Sequence, residues 1–108
     1  MGDRRGDAKA APFAGIDPVI HAPARLKLMT QLYVVEAADA TFLVNETGLT
    51  WGNLATHLRR LEEHSYVTID KEFRGRKPCT IVSLTPRGRA AFRKYRASIQ
   101  AELGNLPD

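Results

Sequence analysis

The chain has 108 residues, of which 44% are hydrophobic and 26% charged, and it carries a net charge of +4. This composition suffices for one domain with one modest core. No apolar run approaches the roughly 18 residues that cross a membrane, and residues 1–12 lack the apolar stretch of a secretory signal. We therefore expect a cytoplasmic protein without a membrane partner.

Cysteine and histidine are too sparse in this chain to build a disulfide or a zinc site. Cys79 is the single cysteine, which fits a reducing compartment, and the three histidines (His21, His57 and His64) are widely spaced. The sequence thus predicts no metal and no cofactor. Cys79 is interpreted as a small apolar strand residue, with redox sensing as the alternative.

Positive charge is concentrated in the second half of the chain. Residues 59–96 contain eleven Lys or Arg and four Asp or Glu, whereas the remainder is net acidic. Such asymmetry is typical of a protein that binds a polyanion, although a solvated hairpin and helix would carry the same charges. We expect a flexible tail at residues 1–15 and the folded domain at residues 16–104.

The first predicted helix runs from Pro23 to Ala37. Leu28, Leu32 and Val35 follow at helical spacing, and a proline is well placed in a first helical turn because its missing N–H costs nothing there. Asp39 and Ala40 are then expected to turn the chain.

A helix-turn-helix is predicted next. Thr41 can cap a short helix through Thr47, Gly48 ends it because glycine adopts positive φ freely, and Thr50 can cap a longer helix through about His64. Any helical hairpin with a glycine turn would give a similar pattern, so this alternative stays open. The core stripe of the longer helix is Leu54, Leu58 and Leu61.

A hairpin and a last helix complete the domain. The segments Tyr66–Phe73 and Cys79–Leu84 have strand-like residues and flank the tip Arg74–Pro78, which we call the wing. Thr85 and Pro86 then predict a helix to about Leu103. The order α-α-α-β-β-α, mainly helical with one small hairpin, is that of a winged helix-turn-helix of the α+β class.

Three segments resemble the winged-helix transcriptional regulators of the MarR/ArsR-like kind. They are "HAPARLKLMTQL" (residues 21–32), "LATHLRRLEEHSYV" (54–67) and "LTPRGRAAF" (84–92), in family order and with family spacing. The resemblance implies a prokaryotic homodimer that binds double-stranded DNA and regulates transcription, with repression as the expected outcome. His64-Ser65 departs from the glycine common after the third helix, and no effector is evident.

The outer side of the third helix provides candidate DNA contacts. On a helical wheel, the side opposite the leucine stripe is polar, basic or small. Asn and Thr can bond to base edges, Arg can reach guanine or phosphate, and a helix N-terminus can donate to phosphate. The predicted contacts are Thr50, Gly52, Asn53, Thr56, Arg59 and Arg60. Trp51 is expected to be partly buried on the turn, with a DNA contact as the alternative. His57 is expected to pack or form a hydrogen bond, with a phosphate contact as the alternative.

The wing provides a second set of candidate contacts. An arginine inserted into a narrow A·T-rich minor groove gains from the enhanced negative potential there. The predicted contacts are Arg74, Gly75, Arg76 and Lys77; the alternative is a solvated tip that keeps a sheet edge soluble. The last helix carries an apolar stripe longer than the domain needs, so we expect a dimer interface at Phe92, Tyr95, Ile99 and Leu103.

Three other functions are compatible with a chain of this size. An enzyme is not expected, because the sequence has no nucleophile elbow, phosphate loop, metal cluster or evident pair of catalytic carboxylates. A winged-helix module that binds a protein partner within a larger complex is one alternative, and it would need an exposed apolar patch. An RNA-binding module that uses the same basic face is the other.

Overall fold

The computed structural model describes residues 13–108, so most of the expected tail lies outside the described residues. The described part forms a winged helix with four helices and one three-stranded antiparallel sheet. The helices are α1 (Pro23–Val35), α2 (Ala40–Thr47), α3 (Trp51–Glu63) and α4 (Pro86–Gly104). The strands are β1 (Ala37–Asp39), β2 (Val67–Arg74) and β3 (Lys77–Leu84), in the order β1-β3-β2. The predicted fold class is confirmed.

The strand β1 was not predicted, and it corrects the expectation of a simple turn at this point. Ala37–Asp39 pairs antiparallel with Ile81–Ser83 in β3. Glu36 has a positive φ of 69° with ψ −41°, which is not helical, and therefore ends α1 at Val35 rather than at Ala37. A helix terminus and a strand thus take the place of two helical residues and a turn.

The cap of α2 also differs from the prediction. The Asp39 carboxylate accepts a hydrogen bond from the backbone N–H of Phe42 at 2.8 Å, so Asp39 rather than Thr41 is the N-cap. Both residue types are good caps, because each offers an oxygen to an unpaired N–H of the first turn. The end of β1 at Asp39 decides between them.

The remaining helix ends follow the predicted chemistry. Gly48 ends α2 in the left-handed region with φ 74°. The Thr50 hydroxyl accepts from the N–H of Asn53 at 3.1 Å, and the Thr85 hydroxyl accepts from the N–H of Gly88 at 2.8 Å. The caps of α3 and α4 are therefore confirmed.

A tight junction joins α3, β2 and the start of α4. Ser65 takes the left-handed conformation, with φ 61°, at the place where a glycine would be unstrained. A Cβ added to Gly88 would lie 2.1 Å from the carbonyl oxygen of Tyr66, so only glycine fits there. This close approach anchors α4 against the point where β2 begins.

One apolar core holds these elements together. Every helix and both long strands contribute to it, so the short helix α2 and the long helix α3 have their inner faces fixed. Its largest fully buried side chains are Ile20, Leu28, Met29, Leu32, Leu43, Leu54, Leu61, Val67 and Val82.

Candidate nucleic-acid interface

The outer face of α3 gathers the predicted contact residues on one exposed surface. The opposite face is buried through Leu54, Leu58 and Leu61, which fixes the rotation of the helix about its axis. The Thr56 hydroxyl donates to the carbonyl oxygen of Gly52 at 3.0 Å, so its oxygen remains able to accept a hydrogen bond. The exposed residues of this surface include Thr50, Gly52, Asn53, Thr56, Arg59 and Arg60.

The wing is fully exposed and its turn is tight. Arg74 pairs with Lys77 in the sheet register, so Gly75 and Arg76 form a two-residue turn, and Gly75 has φ 64°. Arg74 also forms an ion pair with Asp39, with 3.2 Å between Nη1 and Oδ2. Arg74 is thereby directed toward the body of the domain, whereas Arg76 and Lys77 extend the positive charge of the tip.

A groove separates the start of α3 from the base of the wing. It has a volume of about 550 Å³, and we call it the helix–wing groove. Trp51 lines it and is 56% exposed, which corrects the expectation of a partly buried side chain. The other wall is formed by Arg74, Lys77, Pro78 and Thr80. The two predicted contact surfaces are therefore neighbours.

The other flank of α3 carries a contact that sequence reasoning missed. Arg25 in α1 donates to the carbonyl oxygen of Val19 at 2.5 Å and approaches Nδ1 of His57 at 3.2 Å. An arginine can only donate, so Nδ1 accepts and His57 is the neutral tautomer with its proton on Nε2. Partial burial and the Arg25 charge lower the pKa of His57 below its usual value. The hydrogen-bonding interpretation of His57 is confirmed.

Part of the positive charge of α4 is engaged within the chain. Arg89 lies over the Tyr33 ring, with 4.6 Å to the ring centroid, and Arg96 lies at 5.8 Å. Arg93 donates to the Tyr33 hydroxyl at 3.0 Å, and this hydrogen bond lowers the pKa of Tyr33. These three arginines therefore link α4 to α1 through Tyr33.

The predicted dimer residues divide into two groups. Phe92 and Tyr95 are buried in the core of this chain, where the Tyr95 hydroxyl bonds to Nδ1 of His21 at 2.8 Å. Ile99 is half-buried and Leu103 is 54% exposed. Leu106, which was not in the predicted set, is 65% exposed beyond the end of α4. A partner could cover only the second group.

Residues 13–108 offer neither a metal site nor a membrane-spanning helix. Within that range, the carboxylate, thiol and imidazole groups do not assemble into any cluster of three that could hold a metal ion. The four helices of the described region are also too short or too polar to span a bilayer.

The fold and the exposed face of α3 beside the wing define a winged-helix protein of the nucleic-acid-binding type. Residues 24–103 match the family described as "Winged helix DNA-binding domain", and the chain belongs to this family. The uncharacterized protein MJ0432 of Methanocaldococcus jannaschii is 34% identical over 77 residues, which cover 71% of this chain and 84% of that protein.

Solved structures place the fold among regulators. The transcriptional regulator homologue from Pyrococcus horikoshii OT3 has a TM-score of 0.78 and 25% identity, over 98% of this chain and 100% of that one. Reduced AbfR bound to DNA shares the fold with a TM-score of 0.61 and 19% identity, over 77% of this chain and 55% of AbfR. The structural neighbours are MarR-family transcriptional regulators, as the sequence resemblance implied.

Proposed function

We propose that the protein is a sequence-specific transcriptional regulator that binds double-stranded DNA and acts as a repressor. The observation that carries the proposal is the position of an exposed polar face of α3 directly beside a basic wing, on one surface. Membership of a DNA-binding family and a full-length structural likeness to a transcriptional regulator homologue support it.

The recognition helix α3 enters the major groove in this proposal. Asn53 can pair with the N6 and N7 atoms of adenine, Thr56 can accept a hydrogen bond from a base or contact a thymine methyl, and Arg60 can reach guanine. Arg59 and the helix N-terminus at Thr50 bind phosphate, while Gly52 lets the DNA come close to the helix backbone. The outer face therefore reads bases and its edges bind the backbone.

The wing binds the minor groove or the adjoining phosphates. Arg76 and Lys77 provide charge at the tip, and Gly75 permits the tight turn that presents them. An arginine in a narrow minor groove favours A·T-rich sequence without contacting a base edge. The wing thus adds affinity and a preference for DNA shape.

The protein functions as a homodimer without catalytic activity in this proposal. Leu103 and Leu106 are exposed apolar residues near the end of α4, and Ile99 is half-buried beside them. A second copy of the chain would cover them and create a two-fold site with half-sites about 10 base pairs apart. Sedimentation should show a dimer at micromolar concentration; a monomer both free and on DNA would contradict the assembly.

The test of the function is selection of bound fragments from sheared genomic DNA, followed by sequencing. Enrichment of one inverted-repeat sequence is the expected result. The selected duplex should then compete for binding far better than a duplex RNA of the same sequence, because the A-form major groove is too narrow for a recognition helix. Equal competition by RNA would point to an RNA-binding module instead.

A protein-binding module remains the second candidate function, because one observation favours it. Val34 is 75% exposed, and the side chains of Val35 and Phe42 are exposed around a small depression beside β1. This is the kind of apolar surface that a protein partner would require. If the genomic selection enriches nothing and duplex DNA does not bind at low salt, this second function is favoured.

A further inference from the structure

The exposure of Trp51 is not explained by the fold. Trp51 precedes Leu54 by three residues and Leu58 by seven, so it begins the same helical stripe that enters the core. Those two leucines are buried, yet the indole is 56% exposed and lines the helix–wing groove. A large aromatic surface left open in a groove between two contact surfaces is available to a ligand.

The walls of the helix–wing groove combine an apolar platform with positive charge. The indole offers a flat apolar face and one N–H donor, while Arg74 and Lys77 line the same groove as cations. The Thr41 and Thr80 side chains add hydroxyl groups. A deoxyribose ring packs on an aromatic face, and a phosphate binds cations and hydrogen-bond donors. A sugar–phosphate strand can therefore contact the indole and the cations of the groove together.

Asp39 is the acidic group that lines the groove, and its charge is already engaged. One carboxylate oxygen accepts the N–H of Phe42, and the other pairs with Arg74 at 3.2 Å. These two contacts partly compensate the negative charge and hold Arg74 beside the groove. A phosphate there meets an ion pair and Lys77 rather than an isolated carboxylate.

The direction of Trp51 separates it from the base-reading face. Trp51 and Thr56 are five residues apart, which places their side chains about 140° apart around the helix. When α3 lies in the major groove and the wing lies in the minor groove, one DNA strand must pass between them. The helix–wing groove lies between these two elements.

We infer that Trp51, together with Arg74 and Lys77, binds the sugar–phosphate backbone of the DNA strand that separates the major groove from the minor groove. The inference rests on the proposed function and adds a contact to it. Because every nucleotide presents the same backbone, the contact is independent of sequence and sets the register of α3 on the duplex.

The chain offers a direct test because Trp51 is its only tryptophan. A dye-labelled duplex of random sequence is added at low salt, and its anisotropy reports binding while indole emission reports the helix–wing groove. We expect indole emission to change, and quenching by acrylamide to weaken, in proportion to the bound fraction. This measurement uses the unaltered protein and so does not depend on the folding of any variant.

Substitutions then separate a backbone contact from a base contact. Trp51→Ala should weaken binding to the random duplex and to the genomically selected duplex by the same factor, about tenfold, the scale of one aromatic contact. Its plot of log affinity against log salt should keep the parent slope, because indole is uncharged.

Lys77→Ala should flatten that slope by about 0.9. Trp51→Phe should restore part of the affinity, and Phe42→Ala, an aromatic outside the groove, should leave it unchanged.

Each outcome decides between the inference and the proposed function. Binding with unchanged indole emission and unchanged quenching would overturn the inference and leave DNA binding intact. A loss of affinity for the selected duplex alone would show that Trp51 reads bases, which also overturns it. If no duplex binds at low salt, the proposed function fails and the inference fails with it.

Discussion

The recognition helix α3 and the wing reach the same surface but are held in different ways. Three buried leucines, the Thr50 cap and the turn at Ser65 fix α3 in position and rotation. Residues 70–78 of the hairpin are all exposed, and strand pairing holds them, with one partly exposed ion pair between Arg74 and Asp39. A fixed helix suits base recognition, which requires accurate placement, whereas a charged wing tolerates displacement.

The sharpest test of this difference changes one glycine at the α3–β2 junction and one glycine in the wing. Gly88→Ala places a Cβ against the Tyr66 carbonyl, and the resulting displacement of the α3–β2 junction should cost at the upper end of about 1–3 kcal/mol in the free energy of unfolding. The Cβ of Gly75→Ala would enter open space. The expected cost therefore comes only from the positive φ of this residue and is about 1–2 kcal/mol. Denaturant unfolding of both variants measures the two losses.

The glycine pair also predicts what happens to DNA binding. Gly88→Ala should lower the preference for the selected duplex over random DNA in the remaining folded protein, because it displaces the α3–β2 junction that positions α3. Gly75→Ala should lower affinity for selected and random duplexes alike. Equal losses of stability and of site preference in the two variants would contradict the distinction between the helix and the wing.

The charge of the wing is tested by replacing Arg74, Arg76 and Lys77 with alanine together. Affinity should fall more than tenfold for most sequences, and the salt slope should flatten by up to about 2.7 if all three bind phosphate. Thermal unfolding should change little, because exposed ion pairs contribute at most about 1 kcal/mol. An A·T-rich flank should bind better than a G·C-rich flank in the parent, and this advantage should shrink in the variant.

Arg93→Ala is the matched control for the wing variant. It removes one positive charge from α4, which lies outside the two proposed contact surfaces, so the salt slope should stay close to that of the parent. An unchanged slope in the wing variant, with unchanged affinity, would mean that the wing is merely solvated. A reduced slope in Arg93→Ala would show that net charge alone controls binding.

The base-reading role of α3 is tested by Asn53→Ala and Thr56→Ala. Each should reduce the preference for the selected site over random DNA by about 1–3 kcal/mol, while non-specific affinity changes little. Glu63→Ala, at the far end of the same helix, should leave the preference unchanged. If specific and non-specific affinity fell equally, these two residues would bind phosphate, and the helix would be rotated about its axis from the proposed position.

Most of the fold could be predicted because its signals are local. Gly48, Thr50 and Thr85 act within one helical turn of themselves, and the leucine stripe of α3 depends only on helical period. The strand β1 could not be predicted in this way. It is three residues long, two of them alanine, and it exists because Ile81–Ser83 lies beside it.

The site was predicted less completely for the same reason. The outer face of α3 follows from helical period, but the exposure of Trp51 depends on what lies beyond the helix end. The contact between Arg25 and His57 joins residues 32 positions apart, and no local pattern marks it. Charge counting also missed the contacts of the α4 arginines with the Tyr33 ring, because that ring lies on another helix.

The smallest expected effect concerns the flank of α3 opposite the wing. Desolvation and the charge of Arg25 lower the pKa of His57 in the folded protein, while the unfolded chain keeps a pKa near 6.5. The unfolded chain therefore binds the proton more readily than the folded protein. The neutral His57 thus contributes stability that is complete above about pH 6.5 and is lost as the pH falls through the folded pKa. The melting temperature should decline between about pH 7 and pH 5, and His57→Gln should decline less. The parent protein and the His57→Gln variant share His21, His64 and every carboxylate, so the difference between their plots of melting temperature against pH isolates His57. Parallel plots would show that Arg25 and His57 are not coupled.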